Sequence, residues 1–404
     1  MLASYVIFFA LAIINTLCGL CKRNEKILYY SALAVIFIFM TFNCMGPDIG
    51  EYFSAYDSAL DLSGTSAYSG HMESGYVLIM YVCKKIGLDF FSFRTIISII
   101  CFFLFSNTIK YYKVNGNLIV GLYMTYLFFF DTIQLRNCIV EFLLLFATRY
   151  LLRKSLLSTL KYILIIVVAS MFHVAALFGL PLLLVKFLRK ESHYRVIIIL
   201  SALLFVACMA MQSSLPKLAN WLLQFIGRGS SYLEINVEIG YLVVLILHLM
   251  GLIPLYLLKG SIENNRLAKS QVTFILRINI ILCLFIPLLF FNSNFYRLYR
   301  NYILLTYIGL ALIYRNSRTK TSIGGLAAVV MLLMNAGWFV RDMFIKNDIN
   351  VIIKPIFEGS LFSGFIQPIM VWQWIAVGAI AVLAVAIIKI LVPERGRRLY
   401  ARAS

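Results

Sequence analysis

The chain has 404 residues, of which 62% are hydrophobic and only 13% charged, and its mean hydropathy is +0.90. Soluble domains carry roughly 25% charged residues, so a soluble enzyme, a disordered chain and a disulfide-stapled secreted domain are excluded. The net charge of +19, from 36 Lys and Arg against 17 Asp and Glu, has a simpler origin than nucleic-acid binding, because the cytoplasmic loops of membrane proteins collect Lys and Arg.

A membrane-spanning helix takes roughly 20 residues. Long unbroken apolar runs exclude a barrel, which leaves helices to satisfy the backbone in lipid. The expected fold is all-α and polytopic, one transmembrane domain over residues 1–404 with 12–13 spans. Apolar segments fall at 2–20, 27–45, 92–109, 117–131, 137–152, 157–172, 174–188, 196–211, 240–258, 272–291, 302–314, 322–340 and 371–391. The first reads as a retained span, since it has neither a basic start nor a small-residue cleavage site. Cys101, Cys208 and Cys283 sit in apolar runs as small hydrophobes. Cys18 and Cys21 form a CxxC with no second pair, which argues against a metal site.

Basic clusters separate the segments: Lys22, Arg23 and Lys26; Lys110 and Lys113; Arg153 and Lys154; Arg189 and Lys190; Arg266 and Lys269; Arg315 and Arg318; and the tail from Arg395 to Arg402. With these and the C-terminus cytoplasmic, the outer loops become 46–75, 131–136, a turn near 173, 212–238, 292–301 and 341–370. Tyr76 to Cys83 is too short a run to cross before Lys84 and Lys85. Residues 74–88 are therefore expected as a re-entrant or interfacial helix on the outer face.

Ionisable residues that interrupt apolar runs are informative, since each costs about 2.5–3.5 kcal/mol on insertion scales. They gather on the outer side. The first loop carries Asp48, Glu51, Tyr52, Tyr56, Asp57, Asp61, His71 and Glu73; the next turn has Asp131, Gln134, Arg136 and Asn137; His173 marks the turn after; Tyr296, Arg297 and Arg300 follow, the two arginines three apart and so on one helix face. Taken singly, the arginines also read as interfacial anchors or caps, His173 as a packing residue and Asp48 as a turn residue. Taken together they describe a task. Guanidinium groups grip phosphate oxygens bidentately and keep their charge when desolvated, and a carboxylate or imidazole can accept a proton from a hydroxyl. His173 is preferred over Asp48 as that base because its ordinary pKa lies nearest neutrality. There is no GxxxxGK[ST], GxGxxG or DxD pattern, so a lipid-linked phosphate or pyrophosphate donor suits these residues better than a nucleotide sugar, with no metal or cofactor.

These motifs resemble the EpsG-like family of Wzy-type polysaccharide polymerases. Gly46-Pro47-Asp48 with Tyr52 and Tyr56 matches the family's first outer-loop pattern, followed by Glu73, Gly75 and Tyr76. Gln134, Arg136 and Asn137 match its arginine signature, Phe172-His173-Val174-Ala175-Ala176-Leu177 its Phe-His signature, and Arg297 with Tyr302 its late arginine. Asn137 stands where Gln is usual, Ala175 where Ser is usual, and Glu141 where a small residue is more common. The resemblance implies a metal-independent, GT-C-like glycosyltransferase at the outer face of a bacterial inner membrane. It would join undecaprenyl-pyrophosphate-linked oligosaccharide units and release undecaprenyl pyrophosphate, with a chain-length regulator and a flippase as neighbours. Arg136, Arg297 and Arg300 would hold the pyrophosphate. Tyr52, Tyr56, Glu73, Gln134, Asn137, Tyr296 and Tyr302 would contact substrate. The alternatives are an O-antigen ligase or other lipid-donor transferase, and a flippase of the same lipid-linked glycan.

Overall fold

The protein is described from a computed structural model over residues 2–59, 72–188, 190–211, 240–262, 265–289, 295–317, 321–346 and 348–358. Asp61, His71, the 212–238 loop, residues 347 and 359–370 of the expected outer loop and the 371–391 segment lie outside the described residues. Within them the chain is all helical, without a strand. Among the described residues, five helices are long and apolar enough to cross a membrane, and a sixth span results if one bent pair counts as one. Shorter apolar helices of 10–17 residues stand beside them. The protein is an all-α polytopic membrane protein.

The first helices are α1 (Leu2–Leu20), α2 (Lys26–Phe42), α3 (Ile49–Asp57), α4 (Ser74–Lys85) and α5 (Phe90–Tyr112). α4 is the helix expected near 74–88. It is short because Gly87, at φ +77°, ends it. Asp89 then opens α5 by accepting a hydrogen bond from the Ser92 N–H at 2.7 Å. The run expected as two spans with a turn at 131–136 is instead α6 (Gly116–Thr125), α7 (Leu127–Ile133) and α8 (Leu135–Leu151). α6 and α7 meet at 64°. The breaks fall at Tyr126 and Gln134, whose backbones leave the helical region. Asp131 is thus a buried helix residue and not a turn residue.

α9 (Leu156–Ser170) leads into a 3₁₀ segment, Val174–Lys186, containing Pro181, which supplies no N–H to an α-helical ladder. Then come α10 (Glu191–Ala210), α11 (Gly240–Leu258), α12 (Arg266–Leu282), α13 (Tyr296–Asn316) and α14 (Thr321–Phe339), the last running on into a π-helical turn, Val340–Ile345. The loop expected at 292–301 is therefore helical from Tyr296. The loop expected at 341–370 is helical at 340–345 and again at 349–358.

Small and polar residues set the packing. A Cβ on Gly121 would stand 2.3 Å from the Thr16 hydroxyl, and one on Gly19 would stand 2.5 Å from Leu118 Cβ, so α1 and α6 lie nearly backbone to backbone. Asn117 donates to Asn15 Oδ1 at 2.8 Å across the same seam. α8 packs on α5 and α9, and α13 packs on α12 and α14.

One buried cation ties the ends of three helices. Arg94 of α5 is 1% exposed. Its guanidinium donates to the Met40 carbonyl of α2, at 3.0 Å from Nε, and to the Thr132 carbonyl of α7 at 3.0 Å. The segments carrying Asp48 and Arg136 both leave from those ends. Replacing Arg94 with Leu strands two buried carbonyls, at about 1–3 kcal/mol each. The expected outcome is a fall of several degrees in the thermal unfolding midpoint of the detergent-solubilised protein, with helix content retained by circular dichroism at low temperature.

Candidate functional site

Residues 72–76 press against the turn that follows α9. The Gly75 and Tyr76 N–H groups donate to the Met171 carbonyl at 2.9 and 3.2 Å. A Cβ at Gly75 would fall 2.6 Å from Met171 Cβ and 2.8 Å from its carbonyl oxygen, so the approach requires glycine. This contact sets the Glu73 carboxylate, 8% exposed, between two partners. Oε2 accepts from Arg136 at 2.9 Å and Oε1 accepts from the Val174 N–H at 3.1 Å. His173 Nδ1 lies 3.9 Å from Oε1 and itself accepts from the Ala175 N–H at 3.2 Å, capping the 3₁₀ segment. Arg136 also donates from Nε to the Tyr52 hydroxyl at 3.4 Å, its guanidinium 5.6 Å from that ring. Three motifs far apart in the chain meet at one carboxylate.

Asp48 stands just before α3, yet its side chain caps nothing. Burial raises its carboxyl above the usual carboxylate range; Arg297 is the main charge opposing that rise, Glu51 adds to it, and Arg136 and Arg300 oppose it further. Asp48 therefore lies in the field of all three expected arginines. Arg300, fully buried in the first turns of α13, donates to the Gln134 amide oxygen and to the Tyr296 hydroxyl, and stands 4.7 Å from the Phe130 ring. Gln134 reaches it because the helix is broken there. Asn137 donates to Asn301 Oδ1 at 3.1 Å, fixing α8 against α13. The buried Nε groups of Arg297 and Arg300 have no partner among the described residues, so each has a donor available to an anion.

Two expected substrate contacts sit elsewhere. Tyr56 donates to the Leu88 carbonyl at 2.7 Å and stacks on Phe93 at 5.3 Å, bracing α3. Tyr302 is buried in a separate small cavity with His248, Asn279, Thr306 and Trp338. Asp57 pairs with Lys84 at 2.8 Å on the surface.

The structure also brings in residues that sequence reasoning gave no role. Asp131 and Glu141, both fully buried, lie within the field of Arg300. Asp131 accepts from the Tyr123 hydroxyl at 3.0 Å, while neither Glu141 oxygen has a partner among the described residues. Tyr126, at the α6–α7 break, donates to Asp342, which also accepts from Arg341. The signal is the one that picked out Arg136 and Asp131, ionisable residues set in apolar runs, and it extends to Glu141 and Asp342. Among the described residues, no three His, Cys, Asp or Glu side chains gather as a metal site.

Glu73→Gln keeps an acceptor for Val174 but removes the charge facing Arg136. Breaking a poorly solvated pair from one side costs about 3–5 kcal/mol when fully buried, and somewhat less at this exposure. The expected outcome is a lower unfolding midpoint and faster proteolysis within 72–76 and 171–174, with α10 to α14 unaffected; limited proteolysis in detergent reads both.

No curated protein and no solved structure matches this chain, so the GT-C-like architecture remains an expectation. The family model of the EpsG family matches residues 26–350, a range that contains every residue of the site. The chain belongs to the EpsG family.

Proposed function

We propose that this protein is a polysaccharide polymerase acting at the outer face of a bacterial inner membrane on polyprenyl-diphosphate-linked oligosaccharides. The coarse part of this reading, a polymerase-like glycosyltransferase of polysaccharide biosynthesis, is what EpsG membership suggests. The observation that carries the rest is that Asp48 lies in the field of Arg136, Arg297 and Arg300. Few chemistries need three guanidinium groups and one uncommitted carboxylate inside a membrane protein. A diphosphate leaving group with an attacking hydroxyl is one that does.

In the proposed step, a hydroxyl of the acceptor glycan attacks the anomeric carbon of the donor. The bond from that carbon to the diphosphate oxygen breaks, the hydroxyl proton passes to Asp48, and polyprenyl diphosphate leaves. Arg297 and Arg300 stabilise the charge gathering on the leaving group with donors already in place, so little reorganisation is needed as the bond breaks. Arg136 is held ready by Glu73 and Tyr52. Asp48 is favoured over His173 as the base on two grounds. The lone pair on His173 Nδ1 is already taken by the Ala175 N–H, which puts the proton of the neutral ring on Nε2. The Asp48 carboxylate caps no helix and has a raised proton affinity.

The test is purified protein in proteoliposomes with the lipid-linked oligosaccharide of the producing cell. Long ladders of product support the reading; a single added unit favours a ligase or single-sugar transferase, and no new glycosidic bond favours a transporter. Asp48→Asn should lower the rate about 10²–10⁴-fold, the usual contribution of a positioned base. Arg297→Ala should lower it about 10²–10³-fold, the usual cost of one charge-stabilising donor. Asp48 works as a base only when ionised and its pKa is raised. The wild-type rate should therefore fall on acidification at a higher pH than an ordinary carboxylate would produce. A rate flat down to the ordinary carboxylate range would remove Asp48 from the role.

A further inference from the structure

Beyond Arg300 the cluster of cations continues onto residues the proposed chemistry does not use. The π-helical turn Val340–Ile345 places Arg341 with its guanidinium 4.4 Å from the Tyr296 ring, and Lys346 just after it puts its ammonium 4.3 Å from the same ring. Arg300 reaches that ring too, at 5.6 Å, and donates to its hydroxyl. Three cations thus share one buried tyrosine. π-turns of this kind are frequent at functional sites.

Counter-charge on this side comes from Asp342 and Asp348, neither of which is within ion-pair distance of Lys346 among the described residues. Asp342 is buried and already accepts from both Arg341 and Tyr126. Lys346 takes no part in the salt bridges among the described residues. Although Lys346 is exposed as a residue, partial burial of its ammonium, with the Arg341 charge beside it, pushes its pKa down to about 8, against the pull of Asp342 and Asp348. An ammonium kept in that position without a carboxylate hydrogen bond is poised for an anion from outside the chain.

The charges fall into two neighbourhoods that share Arg297 and Arg300. Asp48 feels Arg297, Arg136 and Arg300; Lys346 feels Arg341 and Arg297. Arg297, whose buried Nε has no described partner, acts on both Asp48 and Lys346. A reaction that joins two lipid-linked glycans brings two diphosphate headgroups to one active site, and a single group of arginines serves only the one that leaves.

We propose that Arg341, Lys346 and Tyr296 form a second anion subsite, adjoining Arg297, that holds the diphosphate headgroup of the acceptor lipid. The inference rests on the polymerase reading above. In this arrangement the Lys346 ammonium and the free donors of Arg341 bind phosphate oxygens, and the Tyr296 ring keeps both cations aligned when the subsite is empty.

The experiment compares two acceptors with the full-length protein in proteoliposomes. One is the lipid-linked oligosaccharide itself. The other is a soluble glycoside of the same repeat unit carrying no phosphate, supplied with lipid-linked donor. Lys346→Gln should slow extension of the lipid-linked acceptor at least about tenfold, which corresponds to one charged hydrogen bond of about 1.5–3 kcal/mol. It should leave transfer to the soluble glycoside within about twofold. Lys346→Arg should restore extension. Equal losses on both acceptors, or no loss on either, overturn the second subsite and leave the polymerase reading standing. No glycosidic bond from wild-type protein with either acceptor overturns that reading and the subsite with it.

Discussion

The carboxylate of Glu73 is the constraint around which the site is organised. It faces Arg136, 63 positions later in the chain, and the Val174 amide, 101 positions later. At 8% exposure water contributes little to either bond, so each is stronger than on a surface and more costly to lose. The glycine next but one allows the approach, because any side chain there would collide with Met171. Arg136 is thereby held as a pre-oriented cation rather than a flexible anchor, with Tyr52 on its other side.

The scaffold beneath it is a helix broken twice. Between Gly116 and Leu151 the chain leaves helical geometry at Tyr126 and at Gln134, and both side chains bond to the polar site, Tyr126 to Asp342 and Gln134 to Arg300. Irregular backbone inside a membrane protein persists where neighbouring protein satisfies it. Arg94 does so at one end by donating to the Thr132 carbonyl and to that of Met40. A cation fully inside the protein would normally be unfavourable. Arg300 is made tolerable by an amide, a phenol, an aromatic face and the nearby Asp131 and Glu141. These partners leave its Nε free, so the same burial that costs solvation strengthens whatever anion arrives.

The cations also order themselves along α13 and the end of α14. Arg297 and Arg300 rise from the start of α13, and Arg341 and Lys346 come back toward the same tyrosine from a π-turn. One aromatic ring held between elements more than forty residues apart thus gathers Arg300, Arg341 and Lys346.

Sequence alone determined the helical membrane architecture, because so high an apolar fraction has no other home. It also picked out Asp48, Glu73, Arg136, His173, Arg297 and Arg300, since ionisable residues in apolar runs are costly enough to mean something. It could not say that Tyr302 turns into another cavity or that Tyr56 braces a helix, because a tyrosine has the same local signature in either setting. Nor could it place Arg341 and Lys346, which read as the edge of a loop until the π-turn carries them to Tyr296. Those assignments depend on which helix ends lie side by side. Only the tertiary structure decides that, through close glycine contacts and buried hydrogen bonds between residues distant in the chain.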